Sequence, residues 1–227
     1  MGLTSDLLHF LFPTQCVGCG EILVGGERQL CAQCLMDLPL TGFAPQAGNQ
    51  AERQLKAMAD IEAATSLMHF GRGEISQRVV HSIKYHGNSE LALMMGRQLG
   101  IALQGSGRFG DVEVLVPVPL HAWRRLKRGY NQSRLLCEGI AQVFSCPVVG
   151  GAVRRARNTG SQTHKSPTER RENVAGAFSV VRPEAVAGRH VLLVDDVMTT
   201  GATLAACAGV LLAVEGVKVS VATLCVA

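Results

Sequence analysis

The feature that most constrains this chain is an apolar run followed at once by two acids and a turn rich in hydroxyl groups. The run covers residues 191–194 (Val-Leu-Leu-Val) and leads into Asp195 and Asp196. Because it lacks polar alternation, it predicts a strand buried on both faces, as in a parallel sheet. Residues 199–203 (Thr-Thr-Gly-Ala-Thr) then open the apolar segment 202–214, which we predict to be a helix.

A strand end, a hydroxyl-rich turn and the first turn of a helix can together bind an anion, because unpaired backbone N–H groups and the positive end of the helix dipole point to one place. Phosphate is the expected occupant. The two acids would repel a phosphate on its own, so the sequence favours a ligand that also carries vicinal hydroxyls or a bound cation. A ribose 5-phosphate fits. The alternative is an ordinary strand, turn and helix, but a cap needs one such residue rather than the whole run.

The same run resembles the phosphoribosyl pyrophosphate (PRPP) motif of type I phosphoribosyltransferases, in which a hydrophobic strand leads through Asp-Asp to Thr-Thr-Gly-Ala-Thr. The resemblance implies that Asp195 and Asp196 hold the ribose hydroxyls of PRPP. It also implies that the 5-phosphate is surrounded by Thr199, Thr200, Gly201, Ala202 and Thr203.

Four of the eight cysteines form two Cys-x-x-Cys pairs near the N-terminus, separated by an eleven-residue spacer. Each pair can hold one side of a tetrahedral ion, and four thiolates favour zinc or, less often, iron. Four protein ligands leave no open position for water, so we predict a structural zinc bound by Cys16, Cys19, Cys31 and Cys34. The other cysteines lie among apolar residues and are predicted to be core thiols.

Composition fits a compact chain: of 227 residues, 47% are hydrophobic and 18% are charged. No apolar run is long enough to cross a bilayer, and residues 1–6 lack the basic start of a signal peptide, so we expect a cytoplasmic protein without membrane insertion. Residues 121–134 carry five cations and no acid, and residues 154–172 carry six cations and two acids. Two basic segments suit a polyanion, but charge alone does not separate a pyrophosphate from a nucleic-acid backbone.

Strands and helices alternate along most of the chain. We predict strands over residues 65–70, 112–118, 177–181 and 217–224, in addition to 191–194, and helices over 75–83, 89–103 and 132–144. The fold class is therefore α/β, a doubly wound, mostly parallel sheet. The resemblance of the PRPP motif implies that this sheet is of the type I phosphoribosyltransferase kind. We assign residues 1–45 to the zinc-binding knuckle and 46–227 to the phosphoribosyltransferase-like domain, with a polar linker over 41–54.

A second set of residues is predicted to meet the PRPP motif, because ligands of such sheets bind at the carboxyl ends of the strands. The strand over 112–118 ends at Pro117, Val118 and Pro119, where two prolines force a loop. The cations Arg124, Arg125 and Arg128 follow, which together suit a pyrophosphate pocket. Residues 156–174 are polar and lack periodicity, which predicts a lid or binding loop. Lys84, at a helix end, is predicted to cap the last carbonyls.

The chain as a whole resembles the ComF/GntX family. The resemblance rests on the four-cysteine knuckle, Val-Pro-Val-Pro-Leu-His at 116–121, Arg-Gly-Tyr-Asn-Gln at 128–132, Glu-Arg-Arg-Glu-Asn-Val at 169–174 and the PRPP motif. It implies pyrophosphate contacts near Pro117–Pro119 and a basic lid that includes Arg128, Asn131, Gln132, Arg170 and Asn173. Residues 163–167 (Thr-His-Lys-Ser-Pro) depart from the family's lid pattern.

The family resemblance implies a role in natural transformation, the uptake and use of incoming DNA, and leaves two function classes open. In the first, the protein is a phosphoribosyltransferase that binds PRPP with Mg²⁺ and transfers the sugar to an acceptor that the sequence does not identify. In the second, the same fold binds single-stranded DNA or a DNA-processing partner such as a helicase without turnover. Single-strand binders stack bases on aromatic residues, for which the candidates are Tyr85, Trp123 and Tyr130.

Overall fold

A parallel sheet of four strands forms the centre of the molecule in the computed structural model, which describes residues 14–120, 126, 128–155 and 176–227. The strands lie in the order β1, β6, β5, β2, and each neighbouring pair is parallel. Their bounds are β1 Ala64–His69, β2 Val114–Pro117, β5 His190–Met198 and β6 Lys218–Val226. The predicted strand at 112–118 is thus shorter: Val112 N donates to Phe109 O at 3.2 Å, before β2 begins, and Val118 follows the last residue of the strand.

Helices cover both faces of the sheet, which confirms the doubly wound α/β prediction. On one face, α3 (Ile75–Tyr85), α4 (Ser89–Gly105) and α5 (Gln132–Phe144) bury side chains against Leu192 and Val194. On the other face, α2 (Gln50–Lys56) and α6 (Ala202–Leu212) pack against Val191 and Leu193. Strand β5 is therefore buried on both sides, as its unbroken apolar run predicts.

Helices α4 and α5 cross with their backbones in contact. A Cβ atom placed on Gly96 would lie 2.4 Å from the carbonyl oxygen of Leu136, and one on Gly139 would lie 2.3 Å from that of Leu93. Both distances are far inside van der Waals contact, so no larger residue fits at either position. The two glycines therefore fix the position of α5 on the sheet.

The cysteine knuckle, with its short helix α1 (Ala32–Met36), packs against the same core as the sheet. Leu30 and Leu38 belong to the cluster of buried residues that also contains the apolar face of α4. Gln29 bridges the two parts: its Nε2 donates to Glu90 Oε2 at 2.8 Å, and its Oε1 accepts from Asn88 Nδ2 at 2.6 Å. The knuckle is therefore continuous with the rest of the hydrophobic core.

Two segments differ from the sequence prediction. The predicted linker at 41–54 is wrong: it contains the start of α2, whose cap Asn49 accepts a hydrogen bond from Glu52 N at 3.0 Å. The strand predicted at 177–181 is present as β4 (Phe178–Val180), but it pairs antiparallel with β3 (Val153–Arg155), outside the main sheet. The predicted lid at 156–174 lies outside the described residues. Within the described part of the chain, no helix has the length and apolarity needed to span a membrane.

Candidate functional site

The acid pair lies within β5, close to its carboxyl end. The strand continues through Asp195 and Asp196 to Met198, and Asp195 is in register with Thr223 of the neighbouring strand. Pro117, at the end of β2, is in register with Val194, one residue before the pair. The structure therefore places the Pro117–Pro119 segment and the acid pair at the same edge of the sheet, as the parallel topology predicts.

Asp195 is held by two hydrogen bonds to one of its carboxylate oxygens. Its Oδ1 accepts from Ser133 Oγ at 2.9 Å and from the backbone N–H of Asp196 at 2.8 Å. Burial and the neighbouring charge of Asp196 raise the pKa of Asp195 from its ordinary value of 3.8 to about 7, although the two hydrogen bonds and Lys84 act in the opposite direction. Near neutral pH, this carboxyl can therefore hold or release a proton.

Asp196 forms an ion pair with Lys84, whose Nζ lies 2.9 Å from Oδ1. The Lys84 and Asp196 side chains are 20% and 14% exposed, so water screens the pair only partly. The prediction that Lys84 caps its own helix is wrong. The ammonium group instead brings the last turn of α3 to the acid pair and compensates one of its two charges.

The hydroxyl-rich turn after β5 is open to solvent on one side and packs against the α2 segment on the other. Thr199 and Thr200 are exposed, Thr200 Oγ1 accepts from Ala202 N at 3.5 Å, and the N-cap residue of α6, Gly201, has no side chain with which to cap the helix. Gly201 adopts a positive φ of 74°, and a Cβ atom there would lie 3.0 Å from both Leu55 Cδ2 and Met58 Cε. The turn thus needs glycine for its conformation and for the close approach of the α2 segment.

Gln54 supports the same turn through a hydrogen bond. Its Nε2 donates to the carbonyl oxygen of Thr199 at 2.8 Å. This bond restrains the start of the turn whose backbone N–H groups are predicted to meet a phosphate. Helix α2, which sequence reasoning missed, is therefore part of the site's support.

The loop after β2 is tied to both β5 and α5. Val118 N donates to Val194 O at 2.9 Å, and Val118 O accepts from Asn131 Nδ2 at 3.0 Å. Asn131 also caps α5, because its Oδ1 accepts from Ser133 N at 3.1 Å. Asn131, predicted as a lid residue, therefore has a structural role here, since it places Ser133 beside Asp195.

Gln132 is the second residue of this loop that the structure brings to the site. Its side chain is 1% exposed, and its Oε1 accepts from Arg128 at 3.1 Å, while its Nε2 has no hydrogen-bond partner among the described residues. Arg128 also lies over the ring of Tyr85, 5.3 Å from its centroid. The remaining predicted contacts, Arg124, Arg125, Arg170 and Asn173, lie outside the described residues.

The sequence did not predict two residues that contact the site, Ser133 and Gln54. Ser133 follows Asn131 at a helix start, a pattern that indicates a cap and gives no sign of a bond to a strand 62 positions away. Gln54 lies in a segment predicted to be a linker. Both contacts depend on the tertiary packing of a helix against β5.

The four cysteines of the knuckle converge on one point. Their sulfur atoms all lie within 4.8 Å of one another, and Cys19 Sγ is 3.8 Å from Cys31 Sγ. Two sulfurs on a tetrahedral zinc would be about 3.8 Å apart, given a Zn–S distance of about 2.3 Å. The arrangement fits a closed, structural zinc site.

Backbone N–H groups favour the thiolate that such a site needs. Gly18 N and Cys31 N lie 3.3 Å and 3.2 Å from Cys16 Sγ. Burial acts to raise the pKa of Cys16, but the N–H donors of Cys31, Cys19 and Gly18 outweigh it and lower that pKa to about 6. A Cβ atom on Gly18 would lie 2.6 Å from Cys34 Sγ, so a side chain at this position, directly before the second ligand Cys19, would displace a ligand.

Two protein-family models match the chain, one at the cysteine knuckle and one over the sheet domain. Residues 131–227 match the phosphoribosyl transferase domain model and residues 7–47 match the double zinc ribbon domain model. A crystal structure of adenine phosphoribosyltransferase, 16% identical, aligns over 77% of this chain and 90% of that one with a TM-score of 0.37, too low to carry an argument about function.

Two relatives cover most of the chain. The DNA utilization protein YhgH of Escherichia coli K12 is 36% identical over 207 residues, 88% of this chain and 85% of that protein. Competence protein F of Haemophilus influenzae is 27% identical over 204 residues, 85% of this chain and 88% of that protein. With the zinc knuckle, the parallel sheet and the phosphoribosyltransferase domain all present, this chain belongs to the ComF/GntX family.

Proposed function

We propose that this protein binds PRPP together with Mg²⁺ at the carboxyl edge of the sheet, and that it acts in the uptake and use of DNA. The observation that carries the proposal is the juxtaposition of a held acid pair with an open, glycine-dependent turn at the start of a helix. Asp195 and Asp196 suit the ribose hydroxyls, and residues 199–203 suit the 5-phosphate. The DNA role is supported by the names of relatives, one a DNA utilization protein and one a competence protein.

The acid pair also fits a magnesium ion, because carboxylate oxygens are the protein ligands that Mg²⁺ prefers. Both recorded hydrogen bonds to Asp195 go to Oδ1, and none among the described residues goes to Oδ2. When bound, Mg²⁺ would neutralise charge on a pyrophosphate leaving group. The chain's own contribution is to orient the sugar with Asp195, Asp196 and Lys84, and to place Arg128 on the neighbouring loop.

The PRPP site is compatible with catalysis or with binding alone, and catalysis requires an acceptor for the ribose phosphate. In the transferase form, pyrophosphate leaves as a nucleophile attacks C1 of the ribose, and the cations near the site stabilise the departing charge. A second candidate, DNA binding without turnover, is favoured by the ring of Tyr85, which is 60% exposed, lies beside His81 and carries Arg128 on its face. Such a surface suits an unpaired base. Of the other two aromatic candidates, Tyr130 donates its hydroxyl to Ile83 O, and Trp123 lies outside the described residues.

Thermal unfolding with and without PRPP and Mg²⁺ tests the binding site. Ligand at about one hundred times its Kd stabilises a protein by about 2.7 kcal/mol. We expect that gain for the wild type and for a control with two exposed acids changed, Asp60→Asn/Asp111→Asn. We expect no gain for Asp195→Asn/Asp196→Asn. Equal stabilisation of all three proteins, or of none, would refute PRPP binding here, and pyrophosphate release across bases, amines and DNA would then separate transfer from binding alone.

A further inference from the structure

Three arginines line a cleft on the flank of the sheet, one from a helix and two from the segments that precede the next elements. Arg134 comes from α5, Arg182 precedes the short 3-10 helix Pro183–Ala185, and Arg189 precedes β5. Residues 148–150 and Ala185 complete the lining, and the cleft has a volume of about 370 Å³. All three arginines are exposed. We call this feature the arginine cleft.

The arginine cleft is separate from the PRPP site. Arg189 lies before the first residue of β5, whereas Asp195 lies near the strand's carboxyl end. Six residues of extended chain span about 20 Å. None of the residues that line the cleft belongs to the PRPP motif or to the Pro117–Pro119 loop. An anion held here would therefore be a second ligand, independent of the sugar phosphate.

The charges around the cleft are only partly balanced. Glu138 lies 2.8 Å from Arg134 Nε, and Glu184 lies 3.7 Å from Arg182 Nε. Both contacts use the Nε side of the guanidinium, which leaves the terminal nitrogens for other acceptors. The Arg189 guanidinium has no acidic partner within the described ranges. Three cations and two acids thus leave one positive charge without a counter-ion.

We propose that the arginine cleft binds a phosphodiester group of single-stranded DNA. A guanidinium matches two phosphate oxygens with two parallel N–H groups, so converging arginines are suited to this chemistry. A phosphodiester carries one negative charge, which equals the excess in the cleft. Pyrophosphate or a nucleoside triphosphate would bring more negative charge against Glu138 and Glu184. The volume is at the lower end of small-molecule pockets, which suits one sugar-phosphate unit of a flexible strand rather than a duplex.

The proposal extends the DNA role proposed above from the candidate PRPP site to the flank of the sheet. The second basic segment of the sequence begins at Arg154, an exposed residue of β3, four positions after Gly150 in the cleft lining. Arg154 therefore adds an exposed cation close in sequence to the cleft lining. Because PRPP binding depends on other residues, it can be measured separately in every variant described below.

A salt series with fluorescent oligothymidylate and full-length protein tests the arginine cleft. Arg189→Gln removes a cation that has no ion-pair partner in the described part of the chain. We expect several-fold weaker binding at low salt, and a plot of log affinity against log salt that is shallower by about 0.7, the value for one lost phosphate contact on a single strand. The matched control is Arg97→Gln, which removes one charge from α4, where the guanidinium contacts Gln142. We expect the control to bind like the wild type.

A second variant shifts affinity in the opposite direction. Glu184→Gln removes an acid from the rim, so we expect tighter binding of the oligonucleotide at low salt. Equal binding by the wild type, Arg189→Gln and Glu184→Gln would overturn the proposal. So would displacement of the oligonucleotide by equimolar pyrophosphate, or equal affinity for a duplex. PRPP and Mg²⁺ should stabilise Arg189→Gln as much as they stabilise the wild type. If they stabilise none of the proteins, the PRPP site is refuted, and the oligonucleotide affinities in the salt series alone decide the arginine cleft.

Discussion

Lys84 Nζ and Asp196 Oδ1 lie 2.9 Å apart, in a pair that links the last turn of α3 to the acid pair of β5. The contact joins residues that are 112 positions apart in the sequence. It holds a cation beside two carboxylates. A bound Mg²⁺ and ribose would therefore meet an acid pair whose charge is already partly compensated.

Replacing Lys84 should reduce both stability and ligand binding. Lys84→Met leaves Asp196 without its cation, which should lower the free energy of unfolding by about 2 kcal/mol. Because the Lys84 charge also lowers the pKa of Asp195, its loss should raise that pKa further and weaken PRPP binding at neutral pH. Urea unfolding and titration calorimetry measure the two effects.

The control for this prediction is Lys56→Met. Lys56 also pairs with a carboxylate, Glu52, at 3.1 Å, but its side chain is 46% exposed and Glu52 keeps Arg108 at 2.7 Å. We expect a change of about 0.5 kcal/mol or less. A Lys84→Met protein as stable as the control would contradict the role assigned to the ion pair.

The raised pKa of Asp195 predicts a pH dependence of stability with a defined sign. The folded state keeps the proton up to pH about 7, whereas the unfolded chain loses it near 3.8. This group's contribution is therefore fully present below the lower value and is lost as pH rises through the higher one. Asp195→Asn cannot ionise, so relative to the wild type it should gain more stability at pH 8 than at pH 5.5.

The same titration should act on ligand binding with the opposite sign. An ionised Asp195 is the form that accepts hydroxyl groups and a metal ion, so affinity for PRPP and Mg²⁺ should rise with pH and level off above about 7. Calorimetry at a series of pH values measures this. A wild-type unfolding profile parallel to that of Asp195→Asn between pH 5.5 and 8 would show that the assigned pKa is wrong.

Gln54 offers a test of how helix α2 supports the hydroxyl-rich turn after β5. Gln54→Leu keeps the size of the side chain and removes the donor to Thr199 O. We expect PRPP binding several-fold weaker, with stability changed by about 1 kcal/mol or less, because the side chain is near the surface. Arg53→Leu on the same helix is the control, and calorimetry should show its affinity unchanged. Equal affinity of both variants for PRPP would show that α2 does not support the binding site through Gln54.

The Gly18 contact predicts the behaviour of the zinc site. In Gly18→Ala the added methyl group would lie 2.6 Å from Cys34 Sγ, so a ligand must move and zinc affinity should fall. Purified wild type should contain about one zinc per four-cysteine cluster, and a chelator should remove it faster from the variant. Gly110→Ala, where a methyl group meets open space, is the control. Equal zinc retention in both would contradict a packed site.

The central strand and the zinc cluster were predictable because each depends on local sequence. An unbroken apolar run can only be buried on both faces, and two Cys-x-x-Cys pairs fix a tetrahedral geometry regardless of surroundings. Helix α5 was predicted over its observed range, Gln132–Phe144, since its apolar residues recur at helical spacing and Asn131 is a strong cap.

The missed features depend on distant contacts. Helix α2 has seven residues, few of them apolar, and its stability comes from burying Ala51 and Leu55 against α6 and β1. Lys84 looks like any basic residue at the end of a helix, because only the folded chain brings it to Asp196. Strand β3 has three residues, too few for a periodic signal, and among the described strands it pairs with β4.

The backbone contact at Gly96 and Gly139 limits how the molecule can change shape. Helix α5 carries Asn131 as its cap and Ser133 in its first turn. The contact between α4 and α5 therefore fixes the position of the Ser133 hydroxyl that bonds Asp195. A helix seated without intervening side chains has little room to slide. We therefore expect changes that adapt the protein to a new acceptor, in evolution or by engineering, to fall in the connecting loops. The paired helices α4 and α5 should keep their relative position.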